Sequence, residues 1–128
     1  MLEIINVSYY YKTNKSKKIL DEVSMQFEEG VFYAIVGPSG SGKTTFLSLL
    51  AGLDTPIDGM ILYDGMPITK NKLTEHRKHN ISLVFQNYNL IDYLTPEENV
   101  RLGGNRNAVL LLQEVGIDKH DMKRNVMQ

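Results

Sequence analysis

Gly37-Pro38-Ser39-Gly40-Ser41-Gly42-Lys43-Thr44 fills every position of the pattern G-x-x-x-x-G-K-[ST]. Ahead of it runs Val31-Phe32-Tyr33-Ala34-Ile35-Val36, a continuous apolar stretch that predicts a strand covered on both faces. Behind it, a helical pattern extends from Lys43 to about Ala51. Strand, glycine-rich loop and helix in that order open an α/β unit. The chemistry needs each residue type for its own reason. Glycines let the backbone wrap closely around phosphate oxygens. Successive N–H groups then form an anion-binding nest at the positive end of the following helix. Lys43 offers a point charge to the β- and γ-phosphates, Thr44 a hydroxyl to Mg²⁺, and Thr45 support near the α-phosphate. The competing reading is an accidental glycine-rich turn. Glycine averages roughly 7% of residues, so four specified positions seldom coincide in so short a chain.

Working outward, Leu2–Val7 and Val23–Glu28 alternate apolar and polar residues as half-buried strands do. Between them Tyr9–Lys18 is polar and lysine-rich, and reads as an exposed loop. Gly59–Tyr63 predicts a short strand turned at Asp64-Gly65, Thr74–His79 a short polar helix, and Ile81–Phe85 another apolar strand. Thr95-Pro96-Glu97-Glu98 carries the marks of a helix start, with a capping hydroxyl, a first-turn proline and an acid at the third position. Asn107–Val115 predicts a second amphipathic helix, closed by Gly116. Asp118–Gln128 is polar and shows no closing element.

The chain has 128 residues, 14 basic against 15 acidic, with a formal charge of −1 and 42% hydrophobic content. That length fits one domain, and the composition argues against disorder. The charge balance gives no sign of a nucleic-acid or anionic-lipid surface. With no cysteine, disulfides, zinc–thiolate sites and thiol catalysis are excluded together, in keeping with a reducing compartment. The longest apolar stretches, Phe46–Leu53 and Ala108–Leu112, fall well short of the ~20 residues of a spanning helix. The start lacks the basic and apolar regions of a secretory signal. Work at a membrane would therefore be done from the cytoplasmic side, through a partner.

A phosphate-binding loop alone does not choose among families. The guanine-reading Asn-Lys-x-Asp of small GTPases is approached only by Asn71-Lys72-Leu73-Thr74, which lacks the acid. A nucleotide kinase usually opens with the strand leading into the loop, and here about thirty residues and two predicted strands come first. Those residues carry the resemblance. Leu2–Tyr11, Ile19–Ser24, Gly30, Ile35–Thr45, Ile81–Gln86, Leu90 and Leu94–Val100 together resemble the N-terminal half of an ABC transporter ATPase subunit. Within that family the pattern is most similar to the ATPases of bacterial peptide, bacteriocin and lipoprotein exporters.

The resemblance implies an α/β P-loop NTPase core, with an N-terminal antiparallel β subdomain and part of a parallel sheet in residues 1–89, and the start of a helical subdomain in 90–128. It implies ATP and Mg²⁺ as ligands. Tyr11 falls where the family keeps an adenine-stacking aromatic, although Tyr9 and Tyr10 beside it leave room for a slip of one position, and strand-end packing is the alternative. Gln86 falls at the Q-loop, where the side chain reaches Mg²⁺ or the attacking water. The implied site is therefore Tyr11, Gly37, Pro38, Ser39, Gly40, Ser41, Gly42, Lys43, Thr44, Thr45 and Gln86, with Thr44 and Gln86 toward the metal. Asn87–Leu94 either lines the groove for a transmembrane subunit or belongs to the core.

The departures bear on activity. The Leu-Ser-Gly-Gly-Gln signature, the second acidic strand, the glutamate that activates water and the switch histidine are missing from the sequence. Asp118, His120, Asp121, His76 and His79 lie in polar stretches and are expected to be solvated rather than to replace them. The expected function is thus ATP–Mg²⁺ binding with negligible hydrolysis by the chain alone, a transmembrane subunit and a second ATPase subunit being its partners and the inner face of the membrane its place. The rival expectation is a truncated remnant, or a partner-docking fragment, without useful nucleotide binding. The strand at Ile35 is expected to lack a neighbour and to leave open backbone edges.

Overall fold

The computed structural model describes residues 1–11, 18–104 and 107–126, so most of the expected loop at 9–18 lies outside the described residues. The chain forms two units, Met1–Leu83 and Val84–Gln128. The first is built on a four-stranded antiparallel sheet of β1 (Leu2–Tyr9), β2 (Leu20–Phe27), β3 (Asp58–Tyr63) and β4 (Met66–Pro67), in the order β2-β1-β3-β4. Helix α1 (Lys43–Leu50) packs on one face through Phe46, Leu49 and Leu50, which close a core with Ile4, Val7, Tyr9, Leu20 and Ile61.

Strand β1 does not keep a simple alternation. Ile4 faces the core, and so do Val7 and Tyr9, an odd number of residues further along. The change of parity happens at a bulge, where pairing with both β2 and β3 slips and Asn6 takes a φ of 49°. Ser24 secures it, its Oγ accepting the Asn6 N–H at 2.9 Å and donating to Asn6 Oδ1 at 2.9 Å. Gly59 of β3 lies against the same spot. A Cβ there would sit 2.3 Å from the Asn6 carbonyl oxygen, so only glycine fits.

A short 3₁₀ turn, Lys70–Lys72, leads into α2 (Leu73–His79). His76 corrects an expectation: it is buried, not solvated, and its Nε2 lies 2.9 Å from the Leu50 carbonyl oxygen at the end of α1. Asn80 Nδ2 reaches its Nδ1 at 3.4 Å, and Tyr63 packs edge-on against the ring. Arg77 adds a hydrogen bond to the Gly52 carbonyl. Two α2 side chains thus satisfy the carbonyl that α1 leaves open at Leu50 and one just past its cap, at Gly52. His79, by contrast, is exposed and pairs with Glu75 at 3.2 Å.

The second correction concerns the parallel sheet. Among the described residues neither 31–36 nor 81–85 forms a strand, and the sheet is antiparallel throughout. Phe32, Val36 and Val84 are 93, 87 and 94% exposed. An apolar run becomes a strand only when a neighbour accepts and donates its backbone hydrogen bonds, and the strands of this sheet are paired elsewhere. Tyr33 still folds back, its hydroxyl accepting the Glu28 N–H at 3.0 Å and its ring meeting Phe27 at 4.9 Å.

In the second unit, α3 (Pro96–Leu102) begins with a complete capping box: Thr95 Oγ1 accepts the Glu98 N–H, and Glu98 Oε2 accepts the Thr95 N–H at 2.9 Å. Helix α4 (Ala108–Glu114) starts at Asn107, whose side chain accepts from the Val109 and Leu110 amides. The final stretch does contain a closing element. A 3₁₀ turn at Asp121–Lys123 buries Met122, which joins Ala108 and Leu112 among the buried apolar residues of this unit. Asp118, His120 and Asp121 are exposed.

Candidate functional site

The loop 37–42 leads into α1 through Gly42, which has a φ of +90° and gives the helix no side-chain cap. A Cβ at Gly42 would lie 3.0 Å from the Ile19 carbonyl oxygen, so the turn needs glycine for both conformation and space. Without a side-chain cap, the first amides of α1 remain available to an acceptor from outside. The loop closes on itself by a hydrogen bond from the Ser41 N–H to the Pro38 carbonyl at 3.3 Å. Lys43 lies across it. Its Nζ donates to the carbonyls of Gly37 at 2.8 Å and Pro38 at 2.7 Å, with Ser41 Oγ at 3.4 Å. Beside the loop is a cavity of about 330 Å³ bordered by Val36, Pro38, Ser41, Lys43 and Phe46 among others.

Thr44 is exposed at the start of α1, while Thr45 is half-buried and turned to the tyrosine cluster. The Tyr11 hydroxyl lies 2.9 Å from Thr45 Oγ1 and the residue is 50% exposed. Tyr9 has the opposite character: buried, it donates to Asp54 Oδ2 at 2.6 Å. That hydrogen bond, then burial, push the Tyr9 phenol up to about 12. Of these two, then, Tyr11 is the exposed one and Tyr9 the buried one. Sequence reasoning missed the pairing of Tyr9 with Asp54, which no local spacing announces.

Tyr11 and 37–45 all belong to the first unit, and the Tyr11–Thr45 hydrogen bond joins the aromatic to the phosphate-loop helix. Gln86 belongs to the second unit, exposed in a segment without helix or strand. In that segment Tyr88 is 93% exposed and Tyr93 is also open to solvent, so neither is core. Asn99, which the sequence reading passed over, holds the end of the segment. Its Oδ1 accepts the Ile91 N–H at 2.8 Å, and its Nδ2 donates to the carbonyls of Ile91 at 3.2 Å and Thr95 at 3.1 Å.

The residues present fit a phosphate ligand. A lysine ammonium held by neutral carbonyls lies beside uncapped helix amides, which is a cationic cradle.

The family model described as "ABC transporter" matches residues 20–128. An uncharacterized ABC transporter ATP-binding protein of Bacillus subtilis, YclH, is 42% identical over 99% of this chain and 60% of its own length. The bacitracin export ATP-binding protein BceA of Halalkalibacterium halodurans is 39% identical over 80% of this chain and 42% of its own. Among solved structures, the dimeric ATP-binding cassette MJ0796 bound to ADP and Pi superposes with a TM-score of 0.84 at 31% identity, covering 100% of this chain and 62% of that one. The chain therefore spans about 60% or less of the length of these relatives. Its antiparallel β subdomain and helical unit are those of a P-loop NTPase, and the chain belongs to the ABC transporter family, as part of an ATP-binding domain.

Proposed function

We propose that this chain binds ATP with Mg²⁺ as one half of a composite ABC ATPase site. The observation that carries this is the arrangement around α1: a glycine loop with Lys43 across it, and an exposed tyrosine hydrogen-bonded to the first turn. Tyr11 would stack on adenine and the amides of 37–45 would receive the phosphates. Lys43 would exchange two carbonyl acceptors for phosphate oxygens, a stronger charge-assisted pairing. Thr44 would face Mg²⁺, which when bound neutralises charge on the phosphates, and Gln86 is assigned to the metal by the family resemblance alone.

Water activation needs a positioned base. Among the site residues Lys43 and Thr44 bind, and Gln86 orients, but none accepts a proton. Negligible turnover by the chain alone follows. The dimeric state of the MJ0796 cassette supports pairing with a second ATPase subunit. The exposed Tyr88 and Tyr93 support a transmembrane subunit as the second partner, met at the inner face of the membrane. No helix among the described residues is long and apolar enough to cross a membrane. The export flavour rests on likeness to proteins such as the bacitracin export ATPase.

Titration of the chain and of Lys43→Ala with ATP–Mg²⁺ tests the reading. Saturable binding that Lys43→Ala weakens at least about tenfold is expected, for loss of a charge-assisted contact. Equal behaviour of the two proteins would favour the docking-fragment reading, which the exposed Phe32, Val36 and Val84 support. ATP turnover that Lys43→Ala abolishes would contradict the expectation of negligible hydrolysis.

A further inference from the structure

Tyr11 has only a short strand end to hold it, since β1 stops at Tyr9. Among the described residues, two contacts orient it. One is its hydrogen bond to Thr45, at 2.9 Å. The other is the ring of Tyr9, which meets it with centroids 5.5 Å apart and planes at 87°, an edge-to-face pair. Tyr9 in turn is fixed by its bond to Asp54 Oδ2 at 2.6 Å, and Asp54 is oriented by the Thr55 N–H on its other oxygen at 2.8 Å. Thr45 lies in the first turn of α1, and Asp54 follows the end of that helix. The series Asp54, Tyr9, Tyr11, Thr45 thus clasps the helix from one end to the other.

We propose that Tyr9 and Asp54 are positioning residues that hold the Tyr11 ring edge-on and ready to receive the purine base of a nucleoside triphosphate. This rests on the reading of Tyr11 as the base-stacking residue. A buried phenol is a costly choice for a core position that phenylalanine could fill, because its hydroxyl must be matched when removed from water. Here it is matched by a carboxylate, the Asp54 Oδ2 at 2.6 Å. A ring held in its bound orientation loses less freedom when a base stacks on it, and that raises affinity without a new contact to the ligand.

The test compares two ligands on one protein: ATP–Mg²⁺, which carries a base, and inorganic tripolyphosphate with Mg²⁺, which does not. Tyr11→Ala should raise the Kd for ATP about tenfold or more, from lost stacking, and leave tripolyphosphate within about twofold. Tyr9→Phe and Asp54→Asn should each raise the Kd for ATP about three- to tenfold, for one weakened hydrogen bond, again with tripolyphosphate little changed. A variant that weakens both ligands alike acts on the fold, and that result in both variants overturns the inference. So does an unchanged affinity for ATP in both. If Tyr11→Ala leaves the preference for ATP over tripolyphosphate intact, the base-stacking reading fails, and the positioning role with it. If Tyr11→Ala removes the preference while Tyr9→Phe and Asp54→Asn retain it, only the positioning role fails.

Discussion

Lys43 Nζ lies 2.7 Å from the Pro38 carbonyl oxygen, so the cation of the phosphate loop also ties that loop together. Lys43→Met should therefore have two effects. Affinity for ATP falls at least about tenfold, and the loop loosens because the Gly37 and Pro38 carbonyls lose their donor. Hydrogen exchange without nucleotide would show it as faster exchange at 39–42, while β1 and β3 stay protected.

His76 links α2 to the end of α1. His76→Leu keeps an apolar body in the site but leaves the Leu50 carbonyl without its donor, at a cost of about 1–3 kcal/mol. His76→Ala removes packing as well and should cost about 2–4 kcal/mol. Urea midpoints of the three proteins give the order wild type, Leu, Ala.

Tyr9 offers a pH signature. Its folded-state pKa is raised from 10.0 to about 12, first by the hydrogen bond to Asp54 and then by burial. A raised pKa contributes stability that is complete below the unfolded value and is lost as pH rises through the folded one. The stability advantage over Tyr9→Phe should thus be constant up to about pH 10 and vanish toward about pH 12. In a tyrosinate absorbance titration one of the seven tyrosines should ionise late, and Tyr9→Phe should remove that step.

The capping box of α3 predicts the opposite slope. Glu98 has its pKa lowered, first by the Thr95 N–H, then by the Thr95 hydroxyl, and further by the charge of Arg101. A lowered pKa contributes stability above the ordinary carboxylate value, and that contribution is lost as acid takes the pH down through the folded one. Thr95→Ala should cost about 1 kcal/mol at neutral pH and reduce the acid slope of the second unit's unfolding without abolishing it, because the Thr95 N–H that does most to lower the Glu98 pKa remains. An unchanged slope in that variant would contradict the assignment.

What the sequence made legible was local. The capping box at Thr95–Glu98, the helix starting after Gly42 and the Asp64-Gly65 turn are each specified within a few residues, and the structure has them. The apolar runs at 31–36 and 81–85 were misread because hydrophobicity says what a segment would bury, whereas a strand also needs a backbone neighbour. His76 was misread for the related reason that its burial depends on where α1 ends, far away in sequence. At the site, the glycine loop follows from its own pattern, and Tyr11 is singled out by the family resemblance as the proposed base-stacking ring. The support of Tyr11 by Tyr9 and Asp54 follows from neither, since 45 positions separate the hydrogen-bonded pair.

The bulge in β1 chooses which tyrosine is inside. Were the strand regular from Ile4 onward, Asn6, Ser8 and Tyr10 would share the core face, and Tyr9 would point away from it. One added residue in the pleat reverses that parity and delivers Tyr9 to Asp54. The aromatic triplet Tyr9-Tyr10-Tyr11 is therefore read in a frame set three residues upstream, by Asn6 and by the lack of a side chain at Gly59. An insertion or deletion at the bulge, touching none of the three, would shift the frame and hand the anchoring role to a different ring.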